Sequence, residues 1–600
     1  MNKGTRLVIV DPDACKPKKC DNNCQSACPV NRSGKMCIDI EDVAKITEWL
    51  CIGCNICTKK CPFHALQIVK LPENFNDQTV HRFGTNGFKL CNLPRPKRNR
   101  VLGILGQNGI GKSTIAKIMT NEFKPNFGLE QNDICNSDII KNFRGTELQN
   151  FFTSMYDDKT KFKASIKTQL IDSIPAYFRK KKINPKVSTY FLKYKSHPLF
   201  EKINNVLNIE TLFDKHMISL SGGELQRICC AKILFQDVNV YIIDEPTNYL
   251  DIEYRLRLAY LISELSLEGK YFIIIDHDLA FLDYVSDNIC VMFGEAGAYG
   301  YCSTSYGSGR AINCFFKGFL PSENVRFRTK PYKISFGADV DSKRSDISLS
   351  YEEGNVSYSD PNFNLHINSG KTSNVTFVLG KNGTGKSTFL NFLNDNLKYC
   401  VSYKKQYLDI SQYEIAPGYY DTVQNVLNKN IQKSLNDSFF DSEIFKPLQG
   451  SKLSEKHINE LSGGELQRFS LILALGRDAD VYLLDEPSAF LDVEQRSLIT
   501  QILKRFFLKT GKNAFIVEHD IMFTFSLASE CHILFSCEVD KKTNQFEISE
   551  PLDFEVGIHK FLENVNITFR RDKVTGRPRM NKYNSAQDKE QKKNKCYFKF

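Results

Sequence analysis

A chain of 600 residues has room for about four domains at roughly 150 residues each, enough to bury several cores. No run reaches the roughly 18 consecutive apolar residues of a membrane span, and MNKGTRLVIVDPDACKPKKC has only a short apolar run broken by Asp11, so a soluble intracellular protein without a secretory signal is expected. The net charge of +11 is moderate, and basic residues gather in patches such as RPKRNR at 95–100 and RKKK at 179–182. One such patch alone is more often a solvated face than a nucleic-acid site; together they give a weak expectation of an RNA-rich partner.

Nine of the 20 cysteines fall between Cys15 and Cys61. In a cytosolic chain that density points to metal rather than disulfides. Cys51, Cys54, Cys57 and Cys61 followed by Pro62 spell the CxxCxxCxxxCP run of bacterial ferredoxins, and Cys15, Cys20, Cys24 and Cys28 followed by Pro29 spell a looser version. Two runs predict two [4Fe-4S] clusters. If the fourth cysteine of each run crosses over, Cys15, Cys20, Cys24 and Cys61 hold one and Cys28, Cys51, Cys54 and Cys57 the other, with Cys37 left over. The alternative is a pair of zinc sites, which use CxxC pairs with a longer gap. The clusters transfer electrons or act as rigid staples for a segment too small to bury a core; without a flavin or nicotinamide fingerprint the structural role is favoured.

After HRFGTNGFKL and a basic linker, VLGILGQNGIGKST reads as an apolar strand running into a phosphate loop. Gly106, Gly109 and Gly111, with Asn108 and Thr114 in the same loop, bring backbone N–H groups to phosphate; Lys112 reaches the β and γ phosphates, and the Ser113 hydroxyl ligates Mg²⁺. In VYIIDEP a buried strand ends in Asp244, placed to hold Mg²⁺ through water, and Glu245, placed to polarise the attacking water. His277, after another apolar strand, is expected at the γ phosphate. The order of these motifs, with LSGGELQR at 220–227, resembles the ATP-binding cassette (ABC) ATPases. The resemblance implies that Gln169 senses the γ phosphate and that Ser221, Gly222 and Gly223 cap ATP held by an opposite cassette. It also implies an aromatic under the adenine, for which Phe83 and Phe88 are candidates and core packing the alternative.

The stretch from Lys112 to Gln169 is much longer than its counterpart from Lys386 to Gln406. The surplus carries Leu148, Phe151, Phe152 and Met155 at helical spacing, which predicts a helix-loop-helix insertion at about 138–165, either a partner-binding element or a peripheral helix packing its stripe on the cassette. Residues 311–330 read as a hinge. LSGGELQR then recurs letter for letter at 461–468, with Gly380, Asn382, Gly383, Gly385, Lys386, Ser387 (a second Mg²⁺ ligand) and Thr388 in its phosphate loop, Gln406, Ser462, Gly463 and Gly464, Asp485 and Glu486, and His519. Glu245, Glu486, His277 and His519 are the catalytic candidates. The tail at 551–600 alone reads as a disordered basic arm, but its FRRD stretch matches the hinge in style, which suggests a second clamp segment.

The expected architecture is α/β: a ferredoxin-like α+β iron-sulfur domain (1–71), a first cassette (72–310), the hinge (311–330), a second cassette (331–550) and a basic tail (551–600). That arrangement, with FRGTELQNFF, KGFLPSENVRFR and NITFRRD, resembles ABC subfamily E, the RNase L inhibitor family. The resemblance implies a cytoplasmic, additionally nuclear, monomeric ATPase that pairs its cassettes internally and binds the ribosome and its rRNA between the subunits. It implies work with a class-one release factor or Pelota to split ribosomes, and with initiation factors on the small subunit afterwards, without a membrane. Lys405, where the family has proline, and Thr247-Asn248, in place of paired serines, depart from the pattern. A subfamily F translation ATPase lacks the cysteine ladder; an ATP-gated electron carrier would need redox-active clusters; a transporter subunit would need a membrane partner.

Overall fold

The computed structural model describes residues 5–71, 78–129, 134–157, 162–167, 171, 173–332, 349–359, 362–372, 375–416, 418–527, 531–540 and 544–599. At the N-terminus, β1 (Thr5–Val10) pairs antiparallel with β2 (Leu66–Leu71). Between them lie three short helices, Asn23–Ser26, Pro29–Arg32 and Ile56–Lys60, and a hairpin of Ile38–Ile40 with Ala44–Ile46. Val8, Ile38, Ile46 and Leu66 share one core with buried Cys24, Cys28, Cys37, Cys57 and Cys61.

Eight strands make the first cassette's sheet: β3 (Thr79–Arg82), β4 (Lys89–Cys91), β5 (Arg100–Leu105), β6 (Ala164–Lys167), β7 (Val240–Asp244), β8 (Tyr271–Ile275), β9 (Asn288–Glu295) and β10 (Tyr299–Gly307). Their order is β3-β4-β10-β9-β5-β8-β7-β6, with β9, β5, β8, β7 and β6 parallel. Strands covered on both faces need continuous apolar runs, and every residue of β7 and β8 is buried. The phosphate loop leads from β5 into helix α1 (Lys112–Met119); Asp244 ends β7, opposite Ile275 of β8. All these groups therefore meet at the carboxyl edge of the parallel strands.

The insertion forms α2 (Asn136–Asn142) and α3 (Glu147–Tyr156). Its apolar stripe faces inward: Leu148, Phe151 and Phe152 are buried, and Phe151 meets Tyr271 of β8 edge-on at 5.3 Å. The stripe is cassette core. Helix α4 (Gly222–Leu234) carries the first LSGGELQR, and α5 (Ser308–Lys317) leads into a small hairpin of Phe319–Leu320 with Val325–Arg326.

The second cassette repeats the plan with β11 (Gly354–Ser359), β12 (Asn362–Ile367), β13 (Val375–Gly380), β14 (Val401–Lys404), β15 (Val481–Asp485), β16 (Asn513–Val517), β17 (His532–Asp540) and β18 (Gln545–Ile548), ordered β11-β12-β18-β17-β13-β16-β15-β14. Helix α6 (Lys386–Asn396) follows its phosphate loop, and α7 (Gly463–Gly476) its signature. The tail is folded: α8 (Phe554–Asn564), a three-stranded sheet of Phe569–Arg571, Pro578–Met580 and Phe598–Lys599, and α9 (Ala586–Lys593). Fully buried Arg577 lies 2.8 Å from Asp283 Oδ2, which Arg579 also reaches at 2.8 Å, while Phe598 stacks on Phe525 of the second cassette at 4.6 Å. The tail thus touches both cassettes.

The N-terminal domain docks on the loop between β3 and β4. Asn86 Oδ1 accepts from Ile46 N at 2.8 Å and its Nδ2 donates to Ile46 O at 2.9 Å, while Arg82 pairs with Glu48 at 2.6 Å.

Candidate functional site

Two recesses lie where the cassettes face each other. The first, about 1080 Å³, is walled by Asn108, Gly109, Gly111, Lys112, Ser113 and Thr114 of the first phosphate loop, by Asp244 and Glu245, and by Ser462, Gly463 and Gly464 from the other cassette. The second, about 900 Å³, inverts the arrangement: Asn382, Gly383, Gly385, Lys386, Ser387, Thr388, Glu486 and His519 face Ser221, Gly222 and Gly223. Gly106 and Gly380 sit at the bases of the loops, their carbonyls accepting from Lys112 Nζ at 2.8 Å and Lys386 Nζ at 3.0 Å. Gln406 lines both recesses; Gln169 lies outside the described residues.

The sequence builds these walls locally. Gly111 has φ +91°, and a Cβ there would meet the Phe88 ring at 2.8 Å, so only glycine lets the loop turn into α1 beneath that ring. Ser-Gly-Gly-Glu is a capping box: Ser221 Oγ accepts from Glu224 N at 3.3 Å while Glu224 Oε2 accepts from Ser221 N at 3.0 Å, and Ser462 with Glu465 repeats it. The helix N-termini so formed aim their positive ends into the opposite recess, where they suit anionic phosphate.

The cassettes are stitched together beside the recesses. Asp492 Oδ2 accepts from Asn108 N at 3.3 Å, and Asp251 Oδ2 accepts from Asn382 N at 3.2 Å. Asn382 Nδ2 also donates to Tyr249 O at 2.8 Å, and Tyr249 meets Phe490 edge-on at 5.8 Å. One outer pair differs: Lys381 reaches Glu253 at 2.5 Å at the second site, whereas at the first Gln107 donates to Glu494, which also takes Arg328 of the hinge at 2.6 Å. That guanidinium stacks over Tyr332 at 3.8 Å and Phe315 at 4.7 Å.

Charges in the recesses are strongly perturbed. Burial, then the neighbouring Glu245, pushes the Asp244 carboxyl up to about 7. Burial lowers Lys386 to about 8 and holds His277 well below its ordinary value, so His277 is neutral, its Nε2 2.7 Å from Lys112 Nζ and 2.9 Å from Asn108 Oδ1. Burial would raise Glu486, but His519, Lys386 and Gln406 outweigh it and hold it at about 2. Ser387 Oγ donates to Asp485 Oδ2 at 2.7 Å, while buried Asp485 Oδ1 has no hydrogen-bond partner. A hydroxyl beside an unsatisfied carboxylate oxygen fits a hard cation such as Mg²⁺. Glu245 and Glu486 have left-handed backbones, φ 47° and 45°, which cost a non-glycine residue about 1–2 kcal/mol and mark strain at the site.

The cysteines fall into two neighbourhoods. Cys28, Cys51, Cys54 and Cys57 line one small recess together with Cys37, whose thiol burial and Cys28 push up to about 12. Cys24 is raised first by burial, then by Cys61, with Cys20 and Cys15 also acting on it. Among the described residues no three His, Cys, Asp or Glu side chains close on a single metal ion. Thiols raised by burial and by one another would be relieved as thiolates on a cationic cluster, whose binding releases their protons to solvent.

Phe83, 42% exposed, and half-buried Phe88 both border the first recess. Their counterparts were not found in the sequence: Tyr358 and Phe363 border the second recess, and the Phe363 ring stands 2.8 Å from where a Cβ on Gly385 would be, as Phe88 does at Gly111. The sequence did carry a signal for them: an aromatic and a phenylalanine five positions apart recur in FGTNGF at 83–88 and YSDPNF at 358–363.

Comparison with known proteins agrees with the layout. The model of the ABC transporter family matches residues 95–248 and 361–489, and that of a possible Fer4-like domain in RNase L inhibitor matches residues 5–36. Translation initiation factor rli1 of Schizosaccharomyces pombe is 40% identical over 600 residues, covering 99% of this chain and 98% of that protein. A structure of ribosome-bound archaeal Pelota and ABCE1 superposes with a TM-score of 0.88 at 37% identity, covering both chains fully. The complex of archaeal ribosomal stalk protein aP1 with archaeal ribosome recycling factor aABCE1 matches with a TM-score of 0.77 at 36% identity over 88% of this chain and 99% of that one.

Proposed function

The chain belongs to ABC subfamily E, the RNase L inhibitor family, and from that premise we propose that it is the ATP-driven factor that separates ribosomal subunits after termination or stalling. What supports this is that each recess pairs the phosphate loop of one cassette with the signature of the other. ATP bound there bridges the cassettes, and hydrolysis releases them. Moving a closed population from 1:99 to 99:1 takes about 5.5 kcal/mol of differential binding, a plausible load for two nucleotides.

Lys112 and Lys386 neutralise the β and γ phosphates, and the backbone N–H groups of the two loops cradle them. Ser113 with Asp244, and Ser387 with Asp485, hold Mg²⁺, which when bound withdraws charge from the phosphate oxygens. Glu245 and Glu486 orient the attacking water, while His277 and His519 stand at the γ phosphate with Gln406, and the family resemblance adds Gln169 at the first site. Ser221, Gly222 and Gly223 close the second site, and Ser462, Gly463 and Gly464 the first. Phe88 and Phe363, with Phe83 and Tyr358 beside them, seat the adenine.

The N-terminal domain is an iron-sulfur domain of the Fer4-like kind. Two [4Fe-4S] clusters, one on Cys15, Cys20, Cys24 and Cys61 and one on Cys28, Cys51, Cys54 and Cys57, stiffen a segment whose own apolar core is small. Iron and sulfide analysis tests the count: about eight irons per chain are expected, and about four would leave one cluster. The five-part division at residues 71, 310, 330 and 550 belongs to the same proposal.

Its partners are the ribosome, with rRNA met by basic faces such as exposed Arg179, Lys180, Lys181 and Lys182, a class-one release factor or Pelota, and initiation factors, all in the cytoplasm with the nucleus as an additional location. Among the described residues no helix is long and apolar enough to cross a membrane. Sedimentation with ribosomes tests the proposal: with a nonhydrolysable ATP analogue the protein is expected on small subunits, and with Glu245→Gln plus Glu486→Gln it stays there in ATP. Absence from ribosomal fractions, or brisk turnover by the double variant, overturns it.

A further inference from the structure

Glu245 and Glu486 do not hold their left-handed turns alone. Gln226 Nε2 donates to Glu245 O and to Pro246 O, both at 2.8 Å, and Gln467 Nε2 donates to Glu486 O at 2.7 Å. Both amides are buried, at 1% and 5% exposure. From below, Lys167 Nζ donates to Asp244 O at 2.8 Å, and Lys404 Nζ to Asp485 O at 2.8 Å. The arrangement recurs in both cassettes, where Lys167 and Lys404 occupy matching places in SIKTQ and SYKKQ. Gln226 Oε1 has no hydrogen-bond partner, so its amide is committed to donating; rotated, it would set oxygen against two carbonyl oxygens.

Gln226 and Gln467 are the seventh residues of the two octapeptides, a little over one turn past Ser221 and Ser462. One helix therefore presents its N-terminus to one recess and, about a turn later, grips the glutamate turn of the other. We propose that Gln226 and Gln467 are positioning residues that fix each water-orienting glutamate to the helix serving the opposite ATP site, so that closure at one site sets the glutamate at the other. A helix start is rigid once its N-terminal groups are capped, and displacement at Ser221 is carried to the Glu245 carbonyl through a single amide. Lys167 and Lys404 also reach the Glu245 and Glu486 carbonyls, at 3.5 and 3.4 Å, so the glutamine is the contact that ties each turn to the signature helix. The proposal rests on Glu245 and Glu486 being the glutamates that orient water.

The test isolates one site at a time in the full chain. In a Glu486→Gln background, where only the first site turns over, Gln226→Met is expected to lower kcat on the order of 10- to 100-fold and leave KM for ATP within about 2-fold, because misplacing a reacting group costs rate rather than affinity. Gln467→Met in that background is expected to leave first-site turnover within about 2-fold. In a Glu245→Gln background the two effects exchange. A fluorescent ATP analogue binding as in the parent verifies that each variant is folded. Equal losses from both variants in one background would reveal general distortion of the helices and overturn the proposal, as would a loss from neither or a change confined to KM. If Glu245→Gln with Glu486→Gln still hydrolyses ATP, the glutamate assignment itself fails; if it does not and Gln226→Met is silent, only the positioning role fails.

Discussion

The backbone N–H of Asn108 donates to Asp492 Oδ2 across the cassette interface, and Asp492 Oδ1 simultaneously caps its own helix by accepting from Gln495 N at 2.9 Å. One carboxylate thus serves a fold and an interface. Asp492→Asn keeps one side-chain oxygen for the cap but turns an amide NH₂ toward the Asn108 N–H, so the cassette contact beside the first phosphate loop is lost, and ATP binding at the first site is expected to weaken several-fold at nearly unchanged thermal stability. Asp492→Ala should in addition lose about 1 kcal/mol. Thermal denaturation and titration with a fluorescent ATP analogue, run on both variants, separate the two roles.

Asp244, pushed up to about 7 against an ordinary 3.8, binds a proton in the folded state that it does not bind when unfolded. Its contribution to stability therefore falls as pH rises from about 4 to about 7. Without nucleotide or Mg²⁺, Asp244→Asn is expected to gain a few kcal/mol on the parent between pH 5 and pH 7.5. Mg²⁺ and ATP should reverse that order. Denaturant unfolding at the two pH values, with and without ligand, reads the difference.

Arg577 is fully buried against Asp283, and Arg579 shares the same carboxylate. Removing one partner of a buried pair strands the other, at a cost of about 3–5 kcal/mol. Asp283→Asn is expected to loosen the tail and expose it to protease between 565 and 599, with a matching fall in thermal stability. Unchanged digestion would show that stacking of Phe598 on Phe525 suffices.

Arg179, Lys180, Lys181 and Lys182 are exposed on a face where Lys181 lies 4.7 Å from the ring of Tyr177. If they bind rRNA phosphates, reversing each to Glu lowers ribosome affinity and reduces the slope of log affinity against log salt by about 1 for every phosphate no longer neutralised. Cosedimentation at several salt concentrations gives the slope; an unaltered slope would make this a solvated face.

What was legible in the sequence is what phosphate chemistry forces into short windows. Lys112 must follow its glycines at fixed spacing, and Ser221 must precede Glu224 by three residues to cap a helix, so both could be read letter by letter. Phe363 was missed although it follows Tyr358 by five positions as Phe88 follows Phe83, because that spacing gains a meaning only once the ring is seen lying against Gly385. Asp283 and Arg577 were not legible because they are 294 positions apart and meet only through tertiary packing. The tail looked unstructured for the same reason: its few apolar residues find partners on two other domains. Leu148, Phe151 and Phe152 fit both a docking stripe and a core stripe, since spacing says that one side of a helix is apolar but not what covers it.

The two edges of the cassette pair are fastened differently. Opening the second edge parts Lys381 from Glu253, a contact between the cassettes alone. Opening the first pulls Gln107 away from Glu494, whose other oxygen is tied to Arg328 in its aromatic stack. Strain there reaches the connector between the cassettes, while strain at the second edge is dissipated locally. The pair is a clasp with one plain side and one wired side.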